Sequence, residues 1–303
     1  MRIVSKKNVF DRNENLSGLL FLLPGLIGFL VFVLIPVLFS FILSMMNWSF
    51  TTGLSGMKFV GLDNFKIMMK DTYFITSLKN NFIISFVSVP AALVLGLVFA
   101  VMIKNFCYGK VAIKTMMFIP YVSSIVAVSV VWKVVLNPTF GPVNTFLMFL
   151  GVQNPPKWFG DLHWALPSII LLTLWMNIGY YIIIYMAGLT NIPSGLYEAA
   201  EIDGASKLKQ FFCITIPGVS PTTFFLMIIG LINSFKIFDQ VYITTNGGPG
   251  TSTYVLALYI YNLAFSQYKT GYSCAIAWFM LVIIGIITII QWKTQDKQVS
   301  YMM

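Results

Sequence analysis

Eight stretches of this chain run for at least 18 residues without a charged side chain, and six of them are candidate membrane spans. The six are 15–57, 80–103, 115–132, 162–197, 210–235 and 270–292, of 43, 24, 18, 36, 26 and 23 residues. An α-helix needs roughly 20 apolar residues to cross the hydrocarbon of a bilayer, so each run is long enough or nearly so. Two further uncharged runs fail on composition. The run 240–268 contains Thr244-Thr245-Asn246-Gly247-Gly248-Pro249-Gly250, whose backbone polar groups would be left unsatisfied in lipid. The run 134–156 is broken by Pro138, Gly141, Pro142, Asn144, Pro155 and Pro156. The spacing therefore predicts an all-α integral membrane protein with six spans, at about 17–46, 79–103, 113–136, 164–189, 217–243 and 271–292. Composition agrees: 58% of the 303 residues are hydrophobic and 10% charged, against about 25% charged in a soluble domain. A water-exposed surface cannot be clothed from that supply, which excludes an ordinary soluble enzyme.

The net charge of +9 is not the footprint of a nucleic-acid binder. Only two cations are arginines, Arg2 and Arg12, and no basic face interleaves with aromatics. The lysines instead orient the chain. With six spans both termini share a side. Placing them inside puts eleven cations there, among them the short cluster Lys104, Lys110 and Lys114, and eight on the other side. The positive-inside rule then makes both termini cytoplasmic, with an N-terminal segment 1–16 and a tail 296–303. The first apolar run is far longer than a signal-peptide core and no A-x-A site follows it, so it is expected to stay as an anchor.

Chemistry-bearing residues are scarce. Cys107, Cys213 and Cys274 are widely separated with no CxxC spacing, which gives neither a disulfide framework nor a zinc site. His163 has no partner at ligand spacing, and GxSxG, HExxH, GxGxxG and P-loop patterns are missing from the sequence. A secondary transporter would need an ionisable relay or paired broken helices in inverted repeats. No such repeat is visible, and only Lys133, Lys236 and Asp239 place charge inside or beside the spans.

One segment stands apart. Residues 190–217 read TNIPSGLYEAAEIDGASKLKQFFCITIP. Ser194 is expected to cap a short helix, Gly204 to end it in a left-handed conformation, and a second helical piece to run from Ser206 to Pro217. Leu196, Ala199, Ala200 and Asp203 fall on one side at helical spacing, while Glu198 and Glu201 offer carboxylates to cations. Physically this fits either a solvated amphipathic linker or a docking element.

The same residues carry a resemblance. Glu198-Ala199-Ala200, three residues, Gly204, nine residues, Ile214, then Ile216-Pro217 is similar to the EAA-x3-G-x9-I-x-L-P signature of the integral membrane components of ATP-binding-cassette importers. Ile216 replaces the leucine, a volume-conserving change. Phe118-Ile119-Pro120-Tyr121, Trp132 with Asn137-Pro138, and the run from Ser234 through Phe238-Asp239-Gln240-Val241-Tyr242 to Gly250 narrow it to the carbohydrate-uptake permeases of the maltose and glycerol-3-phosphate type. The likeness spans about 17–295.

That resemblance implies a multi-pass subunit of a bacterial cytoplasmic membrane, importing a sugar, expected to be a di- or oligosaccharide. It implies a second homologous permease, two ATPase subunits inside and an extracytoplasmic solute-binding protein. ATP and magnesium belong to the ATPases, so this chain binds no cofactor or metal and is not itself an enzyme. The 190–217 loop becomes a coupling helix, with Glu198, Ala199, Ala200, Asp203 and Gly204 as contacts. Spans four and five are expected to line a sugar path through Asn177, Tyr180, Gly230, Asn233, Ser234 and Ile237. The competing readings are interfacial anchoring for Tyr180 and interhelical bonds for Asn233 and Ser234. Lys236 and Asp239, three residues apart, are expected to pair on one helix. Residues 59–65 and 244–253 are candidates for meeting the binding protein.

Overall fold

Proline decides where the apolar segments of this chain run straight and where they turn. The structure is a computed structural model and describes residues 7–298. Arg2 and Lys6, and the ends of the expected N-terminal segment and tail (1–6 and 299–303), lie outside the described residues. Helix α1 (Lys7–Phe29) passes through a π-helical turn at Leu30–Leu34 into α2 (Ile35–Ser44). A second π turn, Phe211–Thr215, lies farther along the chain. Each turn ends two residues before a proline, Pro36 and Pro217. Widening the turn relieves the clash of the proline ring with the carbonyl four residues earlier.

After α2 comes a two-residue antiparallel pair, β1 (Met46–Asn47) with β2 (Lys58–Phe59), then α3 (Asp63–Met68). Asp71 caps α4 (Thr72–Phe106), which at 35 residues begins seven residues before the expected span. Then follow α5 (Lys110–Val122), α6 (Ile125–Val135) and α7 (Pro142–Phe149). The long α8 (Ala165–Thr190) leads into α9 (Ser194–Ile202), α10 (Lys207–Gln210), the second π turn, α11 (Ile216–Gly218) and α12 (Ser220–Phe235). The chain closes with α13 (Asp239–Thr244), α14 (Leu256–Tyr261) and α15 (Thr270–Gln298).

Among the described residues, four helical segments are long and apolar enough to cross a membrane: Leu20–Ser44, Thr72–Asn105, Ala165–Thr190 and Thr270–Gln295. The other two expected spans are bent. Lys110–Val122 meets Ile125–Val135 at 96°, and Lys207–Gly218 meets Ser220–Phe235 at 62°. Counting each bent pair as one crossing gives six. The first bend follows Pro120. Ser123 and Ser124 are extended (ψ 151° and 122°), and both the amide and the hydroxyl of Ser123 turn back to the Ile119 carbonyl.

The expected fifth span, 217–243, also stops short. Helix α12 ends at Phe235, Phe238 takes φ −139° and ψ −62°, and α13 starts afresh at Asp239. Lys236 and Asp239 therefore do not share a helix, and no ion pair joins them among the described residues. Ser194 is the first helical residue rather than the cap, because the extended backbone of Pro193 already turns the chain into α9.

The core sits where α4, α8 and α12 meet. Ala92, Leu97 and Ala100 pack on Ile182, Tyr185 and Leu189, with Leu226 closing the third side. A second cluster ties Met68 and Phe74 to Leu256, Tyr259 and Ile276. The non-spanning run 240–268 is thus a buried hairpin, as its glycines and threonines require. Asn81 of α4 anchors it. Its Nδ2 donates to the Phe235 carbonyl (3.0 Å) and its Oδ1 accepts from the Leu256 amide (2.8 Å). One buried side chain thereby satisfies orphan backbone groups at the end of α12 and the start of α14.

Candidate functional site

Two places hold the polar residues that the fold does not consume, and α12 runs between them. The first is the elbow 190–217. Helix α9 ends in a Schellman arrangement: the Ala205 amide donates to the Ala200 carbonyl at 2.8 Å and the Gly204 amide to the Glu201 carbonyl at 3.0 Å. Gly204 has φ +74°, the left-handed region that glycine enters without a Cβ penalty. Ser206 caps α10 by accepting from the Lys209 amide. Tyr197 and Thr215 share a hydrogen bond of 2.9 Å between their hydroxyls, which ties α9 to the limb that becomes α12.

The three carboxylates of the elbow, Glu198, Glu201 and Asp203, differ in use. Glu201 accepts from Lys207, and this hydrogen bond, with the lysine charge, holds its carboxyl below the usual range. Both groups are exposed, so the pair shapes the turn and adds little stability. Glu198, like Asp203, makes no ion pair among the described residues and is exposed. Ala199, Asp203 and Gly204 are exposed with it, Ala200 is half-buried, and Ile202 is 87% exposed. A large aliphatic side chain this bare at the tip of a capped helix is a surface that water does not favour. Behind the elbow lies a cavity of about 780 Å³ between α9, α10 and the C-terminal end of α4. There the Lys104 ammonium donates to the Leu189 carbonyl at 2.9 Å, satisfying the end of α8.

The second place is a cavity of about 250 Å³ between α5, α8 and α12. All six residues expected on the path line it: Asn177, Tyr180, Gly230, Asn233, Ser234 and Ile237. They do not play one role. Ser234 is buried, and its hydroxyl lies 2.8 Å from the Leu231 carbonyl in its own helix and shares an interhelical hydrogen bond with the Ser85 hydroxyl of α4 (2.6 Å). Asn177 lines the cavity and donates to the Thr173 carbonyl one turn back at 2.7 Å. Asn233 is exposed. Gly230 makes room, since a Cβ there would lie 2.2 Å from the Tyr181 hydroxyl oxygen and 3.0 Å from Val89.

Tyr121 and Gln240, which the sequence pattern did not mark as path residues, also line the cavity, as does Tyr181 beside Tyr180 on α8. Tyr121 stacks on Tyr180 with centroids 4.9 Å apart and planes at 17°, and both rings form part of the cavity wall. The motif holding Tyr121 was visible, but not the close packing of α5 on α8 at Gly179 that sets its ring against Tyr180. Trp175 pairs with Trp132 at 5.5 Å instead of lining the cavity. Lys236 and Asp239, released from one another by the helix break, both lie on its rim.

A helical membrane chain with an elbow on one side and a polar cavity between its spans has the layout of a transport subunit, not of an enzyme. Residues 80–299 match the family of binding-protein-dependent transport system inner membrane components, and the chain belongs to that family. It is 37% identical over 300 residues to the "Probable ABC transporter permease protein YesP" of Bacillus subtilis strain 168, covering 98% of this chain and 96% of the relative. It is 33% identical over 293 residues to the lactose transport system permease protein LacF of Rhizobium radiobacter, covering 95% and 96%. Its fold superposes with a TM-score of 0.82 at 25% identity on a chain of a bacterial alginate ABC transporter solved with an alginate pentasaccharide-bound periplasmic protein, covering 96% and 98%.

Proposed function

We propose that this chain is one of two permease subunits of a sugar importer, set in a bacterial cytoplasmic membrane by six spans with both termini inside. In this reading each bent pair counts as one span. An extracytoplasmic binding protein delivers a di- or oligosaccharide. Glu198, Ala199, Ala200, Asp203 and Gly204 meet one of two ATPase subunits, which hold the ATP and magnesium. A homologous permease completes the path. Relatives support the sugar, since one is a lactose permease and another comes from an alginate importer.

The observation that carries the mechanism is one limb, bent by 62° between Gly218 and Ser220, that joins the elbow to the cavity. Its inner end is bonded to the elbow through Tyr197 and Thr215, and its outer end carries Gly230, Asn233 and Ser234 on the cavity. A push on α9 is not absorbed locally, because both ends of the elbow are capped and Tyr197 fixes its angle. The motion passes along α12 to the cavity wall, where Ser234 is held to α4 and Asn233 is free to meet a hydroxyl. Closure of the ATPases thus opens the cavity outward, and hydrolysis resets it.

The test is Gly204→Val with Glu198→Lys in the assembled transporter. Valine cannot sit at φ +74° without strain. Stimulation of ATP hydrolysis by the binding protein is expected to fall at least about tenfold, within the usual range of intersite coupling, while the chain still inserts in the membrane. Unchanged stimulation would make the elbow a solvated linker. Uptake that persists on an ion gradient without ATP would remove the importer assignment.

A further inference from the structure

The cavity does not end at its rim. Phe238 lines it, and from that ring a chain of aromatics leads away over the buried hairpin. Phe238 stacks on Tyr242 (5.3 Å, planes at 15°) and touches Tyr261 (5.3 Å); Tyr261 meets Phe265 (5.2 Å). Phe265 meets Phe50 (6.3 Å), and Phe50 meets Tyr268 (5.5 Å). Six rings from two distant parts of the sequence make an unbroken row. In the orientation proposed above it lies on the outer side, in the loops after the first and fifth spans. Tyr242, Phe50, Tyr268 and Phe265 are between 43% and 59% exposed, so each keeps a free face.

Two observations set this row apart from ordinary packing. Tyr268 has φ +57°. It ends the helical segment Leu256–Ser266 at a position where glycine is the favoured residue, with the Lys269 amide donating to the Leu263 carbonyl across it. A bulky ring held at a strained position points to a use for that ring. The row is also anchored across the chain. The Phe50 amide donates to Thr270 Oγ1 (3.2 Å) and the Gly271 amide to the Trp48 carbonyl (2.9 Å). The loop carrying Phe50 is therefore fastened against the end of the hairpin.

We infer that this row is a saccharide track, along which the apolar faces of sugar rings stack as an oligosaccharide passes from the outer surface into the cavity. Flat apolar faces with polar edges are what pyranose rings recognise in binding sites, and a row of them lets a chain advance ring by ring without a deep well. The cavity end supplies the hydrogen-bonding groups, Asn233, Lys236 and Asp239. The inference rests on the sugar reading above.

The test uses proteoliposomes holding the whole transporter with its binding protein, and radiolabelled lactose, maltotetraose and alginate pentasaccharide as probes. Phe50→Leu and Phe265→Leu are each expected to lower kcat/KM for uptake about three- to tenfold, the range of one aromatic contact. Phe265→Trp is expected to restore uptake, with binding-protein-stimulated ATP hydrolysis unchanged throughout. If the leucine variants carry sugar as well as the parent, the rings are lipid or subunit contacts and the track is overturned. If stimulated hydrolysis falls together with uptake, the rings hold the binding protein and the track is again overturned. If the parent hydrolyses ATP on stimulation yet takes up none of the probes, the sugar reading fails and the track falls with it.

Discussion

Helix α8 and the first apolar segment, Leu20–Ser44, are nearly equal in length, yet their surroundings differ. Half of the most apolar stretch of α8 is buried inside the chain, against 6% for the first segment, although the first segment is the more apolar. Lipid tails are as apolar as leucine, so hydrophobicity alone does not draw helices together in a membrane. Close approach and hydrogen bonding do. In α8 the missing side chain of Gly179 lets α5 come in until a Cβ there would sit 1.9 Å from the Met117 carbonyl oxygen. In the first segment Gly25 has nothing within 4 Å of the same point. Greasiness marks what meets lipid, and small or polar residues mark what meets protein.

The largest expected effect separates these two glycines. Gly179→Val drives methyl groups into the α5 backbone, which has no rotamer to yield. The solubilised chain should lose more than about 3 kcal/mol, or fail to accumulate. Gly25→Val should stay within about 0.5 kcal/mol. Thermal unfolding in detergent measures both, and equal losses would break the comparison. Next in size is Asn81→Leu, which strands the buried Phe235 carbonyl and Leu256 amide and should cost about 2–4 kcal/mol. Its counterpart in the first segment is Ser40→Ala. Ser40 accepts from the Trp278 indole at 3.0 Å, and its loss should cost about 0.6 kcal/mol.

The same contrast explains what could be read from the sequence. The straight spans were legible from their long uncharged runs: α8 begins at Ala165 and ends at Thr190, each within a residue of the expected 164–189. The elbow was legible because its capping glycine sits at a fixed distance from Glu198-Ala199-Ala200. The bends were not. Pro120 and the serines after it are ordinary membrane residues until the backbone turns. The Lys236–Asp239 pairing failed for a related reason, since helical spacing presumes a helix that stops at Phe235. The cavity residues of spans four and five came from polarity and resemblance. Their partners Tyr121 and Ser85 lie 59 and 149 residues away from them in sequence, and local pattern does not reach that far.

A further small effect lies at the N-terminal end of α4, where Asp71 clasps three elements. Its carboxylate caps α4 through the Tyr73 amide (2.9 Å), and accepts from the Tyr272 hydroxyl (2.6 Å) on α15 and the Tyr259 hydroxyl on α14. Burial pushes its pKa up, but the two tyrosine hydrogen bonds and the backbone amides outweigh burial, and the carboxyl sits below its ordinary value. A carboxylate held low in the folded state adds stability that is complete above the unfolded-state value of about 4 and lost as pH falls through the lowered one. Partial exposure screens the gain, so Asp71→Asn should cost under about 1 kcal/mol at neutral pH. The variant and the parent should converge in melting temperature on acidification. A difference that stays constant down to strongly acidic pH would show that Asp71 acts through shape alone, and that the clasp contributes to packing as Gly179 does rather than through its charge.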